Sequence, residues 1–267
     1  MAGFLLINPR SGRGSVSVEE LAAGARKLGV RAHVLGPDED AAAVAAEAAR
    51  DRAGAIGIAG GDGSLAAVAQ VAIESDLPFV CIPFGTRNHF ARDLGLDRRN
   101  PVAALEAFAG RERRIDVGRA GGRLFLNNVS IGAYASLVHG REVHLRRRES
   151  LATMRALLRT LRHPHQLELP VDRDVISGRV ILVANNAYEL KLFELGARND
   201  LTEGRLYLYS AAGLLPTDWQ ERAGERFELG RAGTLRAAID GEPFELQTPI
   251  VCRVEPAALR VLVPPGR

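Results

Sequence analysis

The stretch AIGIAGGDGSLAAVAQVAI at 55–73 places three glycines and one aspartate between two apolar runs. Gly60, Gly61 and Gly63 can adopt backbone conformations that let N–H groups approach a ligand, and the N-terminus of a following helix favours phosphate. Asp62 would repel bare phosphate, but a carboxylate is favourable there when Mg²⁺ lies between the two. The alternative is that Asp62 only caps the helix that begins at Ser64. The loop alone does not separate these two interpretations.

Two further loops have the same character. INPRSGRG at 7–14 follows an apolar run, and FVCIPFGTRNHFARDLGL at 79–96 ends another apolar run in a glycine and a hydroxyl residue. Loops that follow parallel strands meet at one edge of the sheet, where ligands of open α/β folds bind. We therefore expect the three loops to converge.

The elements that would position these loops alternate in type over residues 1 to about 112. Apolar runs predict strands, and amphipathic or alanine-rich runs predict helices. This alternation predicts a parallel sheet covered on both faces. The predicted strands are 4–8, 31–36, 55–60 and 79–84, and the predicted helices are 16–29, 38–52, 64–75 and 101–110, with a short helix after 84.

From Arg113 onward the chain consists of short strand-like runs separated by turn residues, which is typical of an antiparallel β sandwich or barrel. One exception is 141–164, which reads as a helix. We therefore predict an α/β domain at 1–115 and a β-rich domain at 116–267.

The composition of the chain argues against several classes of protein. The chain has 267 residues, 46% of them hydrophobic, and no apolar run of membrane-spanning length or secretory leader pattern. Cys81 and Cys252 lie in apolar runs and are expected to be buried free thiols of a reducing compartment. The only lysines are Lys27 and Lys191, and neither belongs to a Walker-type Gly-Lys-Ser/Thr loop or a protein-kinase strand.

The ordered motifs resemble the diacylglycerol kinase catalytic family, in a superfamily with sphingosine, ceramide and NAD kinases. The motifs are INPRSG, GGDGS, PFGTRNHFARDLG, IDVG (115–118), FLNNVSIG (125–132), VANNAY (183–188) and IDGE (239–242). The resemblance implies an α/β nucleotide domain followed by a β-rich domain, with the active site in the cleft between them. It also implies ATP as co-substrate, Mg²⁺, and γ-phosphoryl transfer to a lipid hydroxyl, foremost diacylglycerol giving phosphatidic acid.

The resemblance also implies roles for individual residues. Asp62 and Asp116 would belong to the Mg²⁺ network, and Asp240 would be the general base for the lipid hydroxyl. From the residues alone, Asp240-Gly241 predicts a hairpin turn. The implied nucleotide-binding positions are Asn8, Pro9, Ser11, Gly12, Gly60, Gly61, Asp62, Gly63, Ser64, Gly85, Thr86 and Asn88.

One position departs from the family pattern. His89 stands where the family motif has an aspartate of the metal network. A neutral imidazole can accept a hydrogen bond from metal-bound water but brings no negative charge. The departure leaves open weaker Mg²⁺ binding, sufficiency of Asp62 and Asp116, or a protein that binds without catalysis.

The segment RNDLTEG at 198–204 resembles a region in which some bacterial members hold a structural Mg²⁺. Asp200 and Glu203 would be its ligands here, and the alternative is a solvated turn.

The predicted helix at 141–164 is the candidate membrane contact. Its basic residues can lie on an anionic lipid surface, although a core-packing helix with a solvated basic face fits the pattern equally. Nucleic acid is a poor partner because aromatic residues make up only 5% of the chain. We expect a cytoplasmic protein, peripherally bound at the inner face of the membrane, and leave a homodimer open. The candidate contacts are Arg146, Arg147, Arg148, Arg155 and Arg159.

Two rival functions remain at this point. The first is phosphotransfer to a soluble acceptor, as in NAD kinases, which share the glycine-aspartate loop. The second is a non-catalytic lipid- or nucleotide-binding protein, suggested by His89.

Overall fold

The computed structural model describes residues 2–12, 16–85, 88–132, 167–191, 194–195, 197–211 and 219–265. Its contacts divide the chain into two compact units. Unit 1 comprises Met1–Val117 and Pro256–Arg267, and unit 2 comprises Gly118–Glu255. The basic stretch 141–164, with its five candidate membrane-contact arginines, lies outside the described residues, and so does Thr86.

Unit 1 alternates strands and helices, as predicted. A 3₁₀-helix at Leu105–Ala109 follows its last α-helix. Its elements are β1 (Phe4–Ile7), α1 (Val18–Lys27), β2 (Arg31–Val34), α2 (Ala41–Arg50), β3 (Ile56–Gly60), α3 (Asp62–Glu74), β4 (Phe79–Pro83), α4 (His89–Asp93), α5 (Pro101–Ala104) and β5 (Arg111–Ala120), which continues into unit 2.

The sheet of unit 1 runs in the order β2-β1-β3-β4, and all three pairings are parallel. Leu5, Leu6 and Ile7 are all fully buried. Since successive strand residues point to opposite faces, both faces of this sheet are covered. Helix α1 packs against α5, and α2 packs against α3. The predicted parallel sheet with helices on both faces is confirmed.

Local signals define the helix starts in unit 1. Ser17 and Glu20 form a capping box at the start of α1, and Asp40 accepts the N–H of Ala43 at 2.9 Å to cap α2. Caps of this kind stabilise a helix by about 1 kcal/mol each. They fix where each helix begins and therefore the length of the loop that precedes it.

Unit 2 is built from antiparallel strands in the order β14-β13-β10-β7-β15-β16, and the β8–β9 hairpin joins it through β15. Its core includes Phe125, Ile181, Leu208 and Phe227. Its strands are β6 (Arg123–Phe125), β7 (Asn128–Gly132), β8 (Leu167–Val171), β9 (Asp174–Gly178), β10 (Val180–Asn185), β11 (Leu190–Lys191), β12 (Glu194–Leu195), β13 (Leu206–Ala211), β14 (Trp219–Gly224), β15 (Arg226–Ile239) and β16 (Glu242–Val263), which ends in unit 1. The predicted antiparallel β-rich part is confirmed.

One strand of unit 2 is longer than the sequence suggests. The motifs RFELG (226–230) and TLRAAIDG (234–241) read as two separate strands, but Arg226–Ile239 is the single strand β15, and its pairing with β16 shifts register between Leu229 and Gly233. Gly230 has a φ of 78° there. The glycines that suggested a turn therefore form an irregularity inside a continuous strand.

The β8–β9 hairpin was not among the predicted strands. Its turn contains Asp172 with a φ of 55°, and Pro170 lies within β8. A proline inside a short run argues against a strand unless the run lies at an edge or bulge. The local pattern was therefore too weak to reveal the hairpin.

The last part of β16 belongs to the first unit. Val261 pairs in parallel with Phe79 of β4, so Pro256–Arg267 is grouped with unit 1. The sequence analysis placed these residues in the second domain. A strand's apolar pattern predicts that it pairs but not with which sheet.

Candidate active site

The first two predicted loops of unit 1 lie together and are joined by side-chain hydrogen bonds. Asn8, just after β1, donates through Nδ2 to the Ser64 hydroxyl in the first turn of α3 at 3.0 Å. Ser11 accepts the N–H of Gly61 through Oγ at 3.3 Å. Pro9 lies in the exposed turn that the Ser11 N–H closes by donating to the Asn8 carbonyl at 3.1 Å. The β1 and β3 loops therefore hold one another in place.

The loop after β4 is held by Asn88. The N–H of Gly85 donates to Asn88 Oδ1 at 2.8 Å, and Asn88 Nδ2 donates back to the Gly85 carbonyl at 2.7 Å. Asn88 has a φ of 49° and is buried. Asparagine tolerates this left-handed conformation better than most residues do. The side chain thus closes the turn from Gly85 to α4.

Asp62 joins the β3 loop to the β4 loop. Its carboxylate accepts the N–H of His89 through Oδ2 and the N–H of Phe90 through Oδ1, each at 3.2 Å. The helix α3 begins at Asp62 itself, with Gly61 as its N-cap. The expectation that Asp62 caps a helix starting at Ser64 is therefore wrong, because the carboxylate turns to the first N–H groups of α4 instead.

The glycines create room by close backbone contact. A Cβ on Gly85 would lie 2.5 Å from Gly61 Cα, whereas a Cβ on Gly61 would have no neighbour closer than 3.8 Å. Gly12 packs against the ring of Phe84, where a Cβ would meet it at 2.5 Å. A φ of −89° at Gly61 is ordinary for any residue. A Cβ on Gly61 would therefore fit in ordinary van der Waals contact with Gly85 and Ser11.

The N-terminus of α3 can bind an anion. The N–H groups of Asp62 and Gly63 lie in the first turn, where no helical carbonyl precedes them, and the helix dipole places partial positive charge there. Gly60 fits closely, since a Cβ on it would lie 3.1 Å from Ser64 Cβ. The arrangement suits a phosphate group held by backbone N–H donors.

A cavity of about 350 Å³ adjoins the Gly85 turn within unit 1. Its walls are mainly apolar, and two exposed arginines border it. The lining residues are Val16, Pro83, Phe84, Gly85, Arg98, Arg99 and Pro101.

The predicted metal residues of unit 1 fit a Mg²⁺ ion by the chemistry of their donors. Asp116 is buried in β5, and its Oδ1 accepts the N–H of Ala257 at 2.9 Å. Each carboxylate offers about four lone-pair positions, so a carboxylate that accepts a backbone N–H can also contact a metal ion. One or two carboxylates with substrate phosphates are a usual Mg²⁺ donor set. Within the described residues, no three His, Cys, Asp or Glu side chains form a metal-binding group.

The Asp62 carboxylate affects the pKa of a cysteine inside the sheet. Burial, and secondly the nearby Asp62 carboxylate, raise the pKa of the Cys81 thiol in β4 well above its usual value. Both cysteines are buried and free, as expected. Cys81 is therefore an inert core residue beside the loop.

Asp240 occupies the turn between β15 and β16 in unit 2. Ile239 pairs with Glu242, and φ is 49° at Asp240 and 86° at Gly241, so the predicted two-residue hairpin is confirmed. Its Oδ2 accepts the N–H of Leu126 at 2.7 Å, and its Oδ1 accepts those of Asn127 and Asn128 at 2.7 and 3.0 Å. The predicted base is thus held by three backbone donors of the segment Leu126–Asn128, named here the 126–128 loop.

Sequence reasoning missed Arg198, which contacts the other side of the 126–128 loop. The side chain is buried, and it donates to the carbonyls of Leu126 at 2.6 Å and Asn185 at 2.9 Å and to Asn127 Oδ1 at 2.8 Å. An arginine in the polar stretch RNDLTEG gives no local sign of burial.

Asp200 and Glu203 make separate local contacts. Asp200 is exposed and accepts the Thr202 N–H at 2.8 Å and its hydroxyl at 2.6 Å. Glu203 accepts the N–H of Ala187 at 3.2 Å and the hydroxyl of Tyr207. The Asp200 contacts form a turn, the Glu203 contacts connect that turn to Ala187 and Tyr207, and a structural Mg²⁺ at the two acids stays a prediction.

No helix within the described residues is long and apolar enough to cross a membrane. Since the basic stretch 141–164 falls outside those residues, the membrane contact stays a prediction.

Comparison with known proteins identifies similar chains. Residues 2–120 match the family model described as diacylglycerol kinase catalytic domain. A diacylglycerol kinase of Mycobacterium tuberculosis strain ATCC 25618 / H37Rv is 29% identical over 294 aligned positions, which cover 97% of this chain and 94% of the relative. A diacylglycerol kinase of Bacillus subtilis strain 168 is 27% identical over 191 positions, which cover 67% of this chain and 62% of the relative.

A solved structure shows the same fold. The crystal structure of a diacylglycerol kinase from Bacillus anthracis str. Sterne has a TM-score of 0.70 at 17% identity, and the match covers 98% of this chain and 96% of that one.

Proposed function

We propose that this chain is an ATP-dependent lipid kinase, because residues 2–120 match the family model of the diacylglycerol kinase catalytic domain and relatives of that name align over nearly the whole chain. It transfers the γ-phosphoryl group of ATP to a hydroxyl of a membrane lipid, and diacylglycerol is the first acceptor to test. The observation that carries the proposal is a set of side-chain hydrogen bonds that hold the three loops around the N-terminus of α3. The residues that make them are Asn8, Ser11, Gly61, Asp62 and Asn88.

The loops of unit 1 bind and orient the nucleotide in this proposal. Backbone N–H groups at Asp62 and Gly63, in the first turn of α3, hold phosphate oxygens. Asp62 and Asp116 would hold Mg²⁺, which, when bound, neutralises charge on the phosphate oxygens. Asp62 also holds the start of α4, so its carboxylate is oriented before any ligand binds.

Asp240 receives the proton of the lipid hydroxyl. The new bond joins the lipid oxygen to the γ-phosphorus, the bond from that phosphorus to the β–γ bridging oxygen breaks, and ADP leaves. We assign proton acceptance to the Asp240 carboxylate, which three backbone donors orient. A carboxylate is a weak base for an alcohol, so positioning and phosphate neutralisation supply most of the rate enhancement.

The test is transfer from γ-labelled ATP, with Mg²⁺, into a panel of lipids in mixed micelles, with NAD as a soluble acceptor. We expect label in a lipid and none in NAD. Label in NAD alone would show that the acceptor is a soluble molecule rather than a lipid. ATP binding without any transfer would favour the non-catalytic alternative.

Asp240→Asn tests the catalytic assignment, because the amide keeps the shape of the side chain. We expect it to reduce kcat by roughly 100-fold or more. Asp172→Asn is the matched control, since Asp172 also lies in a hairpin turn with positive φ and accepts a backbone N–H, that of Glu228 at 2.9 Å. The control should stay within about twofold of wild type. Full activity of Asp240→Asn would remove Asp240 from the mechanism.

Asp62→Asn separates the hold on α4 from metal binding. The amide keeps one of the two acceptor oxygens that face the first N–H groups of α4, so we expect only a modest fall in the unfolding temperature. Loss of the charge should lower the phosphotransfer rate of the folded variant by about 100-fold. A variant that unfolds early but retains activity when folded would show that Asp62 serves only to hold the start of α4.

We place the lipid at an anionic inner membrane face, which the basic stretch 141–164 would contact peripherally. Co-sedimentation with phosphatidylglycerol vesicles, against phosphatidylcholine vesicles, tests this proposal. Replacing Arg146, Arg147 and Arg148 by glutamate should abolish binding to the anionic vesicles. Unchanged binding would locate the membrane contact elsewhere.

A further inference from the structure

One peptide unit in unit 2 lies between a cation and an anion. The carbonyl of Leu126 accepts a hydrogen bond from Arg198 Nη1 at 2.6 Å. The N–H of the same peptide, on Asn127, donates to Asp240 Oδ1 at 2.7 Å. A hydrogen bond from a cation to a peptide carbonyl polarises the peptide and strengthens its N–H as a donor. Arg198 therefore acts on Asp240 through one intervening peptide.

Arg198 also fixes the rest of the 126–128 loop. Its Nη2 donates to Asn127 Oδ1 at 2.8 Å, and its Nη1 also reaches the carbonyl of Asn185 in β10 at 2.9 Å. The guanidinium carbon lies 5.6 Å from the centre of the Tyr188 ring. The hydroxyl of Tyr188 accepts a hydrogen bond from Asn128 Nδ2 at 3.0 Å. Each residue of the loop is thus held by Arg198 or by the ring beside it.

The guanidinium group of Arg198 is suited to holding the 126–128 loop because its donors lie in one rigid plane. Arg198 is 2% exposed, and a buried cation persists only where its donors are satisfied. Its two Nη atoms reach three acceptors on two segments, which the single ammonium of a lysine cannot reproduce in the same plane. The burial therefore serves to hold the 126–128 loop against β10.

We propose that Arg198 is a positioning residue for Asp240, acting through the 126–128 loop. The loop presents its carbonyl and amide side chain to the buried cation and its three N–H groups to the carboxylate. Without Arg198 the donors spread, and Asp240 loses the orientation that proton transfer needs. This inference rests on the proposed lipid kinase activity, in which Asp240 is the base.

The variants are Arg198→Lys, Arg198→Met and Asn127→Ala, and the control is Arg119→Lys. Arg119 is a second buried arginine of unit 2, and it pairs with Glu255 at 2.8 Å and donates to the carbonyl of Gly122 at 3.4 Å. It controls for the general cost of shortening a buried arginine. Thermal unfolding of each variant shows which of them fold.

The kinetic readout is the split between kcat and the KM for ATP. We expect Arg198→Met to lower kcat by about 100-fold, because misplacement of a catalytic group by about 1 Å has that effect. Arg198→Lys should retain more activity than Arg198→Met, Asn127→Ala should lose less than either, and the KM for ATP should stay within about twofold of wild type. Reductions no larger than that of Arg119→Lys, or a rise in KM alone, would overturn the proposal.

Hydrogen exchange gives an activity-independent readout. The N–H groups of 126, 127 and 128 should exchange about tenfold faster in Arg198→Lys than in wild type, and Arg119→Lys should leave them unchanged. Unchanged exchange would overturn the proposal even in an active kinase. If the wild type phosphorylates no lipid but Arg198→Lys loosens the loop, the proposed function fails while the positioning of Asp240 stands. If Arg198→Met does not fold, Arg198→Lys and Asn127→Ala decide the matter.

Discussion

At the scale of single residues, the two principal acids each serve the fold as well as the proposed chemistry. Asp62 accepts two N–H groups at the start of α4, and Asp240 accepts three from the 126–128 loop. An alanine at either position would remove a backbone anchor together with the charge. Asparagine, which keeps a carbonyl oxygen in place, is therefore the more informative substitution at both.

His89→Asp should strengthen Mg²⁺ binding. The contact between His89 and Asp62 uses the backbone N–H of His89, so changing its side chain leaves that hydrogen bond in place. A further carboxylate adds negative charge beside the proposed metal site. We expect half-maximal phosphotransfer at roughly threefold to tenfold lower free Mg²⁺, measured by titrating Mg²⁺ at saturating ATP.

His89→Asn is the uncharged control for this prediction. It should leave the Mg²⁺ requirement near that of wild type. An equal effect of aspartate and asparagine would show that the charge at position 89 is not part of the metal site.

At the scale of elements, short local signals predicted unit 1 well. Each strand is an apolar run and each following loop carries its own glycine or cap, as at Ser17 and Asp40. The convergence of the three loops follows from parallel pairing alone. The start of α3 was misplaced because the true cap, Gly61, has no side chain to reveal it.

Unit 2 was harder to predict because its pairing is long-range. The register shift between Leu229 and Gly233 keeps β15 continuous through residues that ordinarily end a strand. Arg198 gains its role only when the 126–128 loop, more than seventy residues earlier in the sequence, packs over it. The hydrogen bonds of Asp240 to that loop are equally invisible locally, although its hairpin turn is plain from Asp-Gly.

Gly85→Ala should destabilise unit 1, whereas Gly61→Ala should not. The new Cβ at Gly85 would lie 2.5 Å from Gly61 Cα, and backbone atoms there cannot turn aside. We expect a loss of about 1–3 kcal/mol, seen as a lower unfolding temperature. At Gly61 the nearest atom would be 3.8 Å away.

Because Gly61→Ala should not destabilise unit 1, this variant tests phosphate binding separately from stability. Its methyl group would fill the space assigned to phosphate, so ATP should protect this variant from unfolding much less than it protects wild type. Normal protection by ATP would place the phosphates away from Gly61.

Alkaline pH should destabilise the protein through Tyr207. The hydrogen bond to Glu203, followed by burial, raises the pKa of Tyr207 to about 12. A tyrosine in the unfolded chain has a pKa of about 10, so above that pH the unfolded chain loses a proton that the folded chain keeps. The free energy of unfolding should therefore fall as pH rises from about 10 to 12.

Urea unfolding at pH 9, 10 and 11 measures this dependence. Tyr207→Phe removes one titrating group and should reduce the slope, and Tyr209, whose pKa burial also raises, should maintain the remaining slope. An equal slope in the variant would assign the dependence to other groups.

At the scale of the whole molecule, each unit has its own core and its own buried thiol. Cys81 lies in β4 of unit 1, and Cys252 lies in β16 within unit 2. Burial raises the pKa of Cys252 to about 12. Because a thiol reacts as the thiolate, neither cysteine should react with a thiol reagent until its unit opens.

Thiol labelling should therefore report opening of the two units separately. We expect Mg-ATP to slow the labelling of Cys81 at least several-fold and to leave that of Cys252 nearly unchanged, because the proposed nucleotide-binding loops belong to unit 1. Mass spectrometry of the labelled peptides measures both rates. Equal slowing at both positions would show that the units open together.

The discontinuity of unit 1 bears on how the protein is made. Residues 118–255 leave the ribosome as one continuous stretch, so the sequence of unit 2 is complete while the sheet of unit 1 still lacks the strand that pairs with β4. Asp116 likewise lacks its hydrogen bond from the N–H of Ala257 until that residue has been translated. On a nascent chain, the unit that begins first is thus finished last, because the strand that completes its sheet lies beyond residue 255.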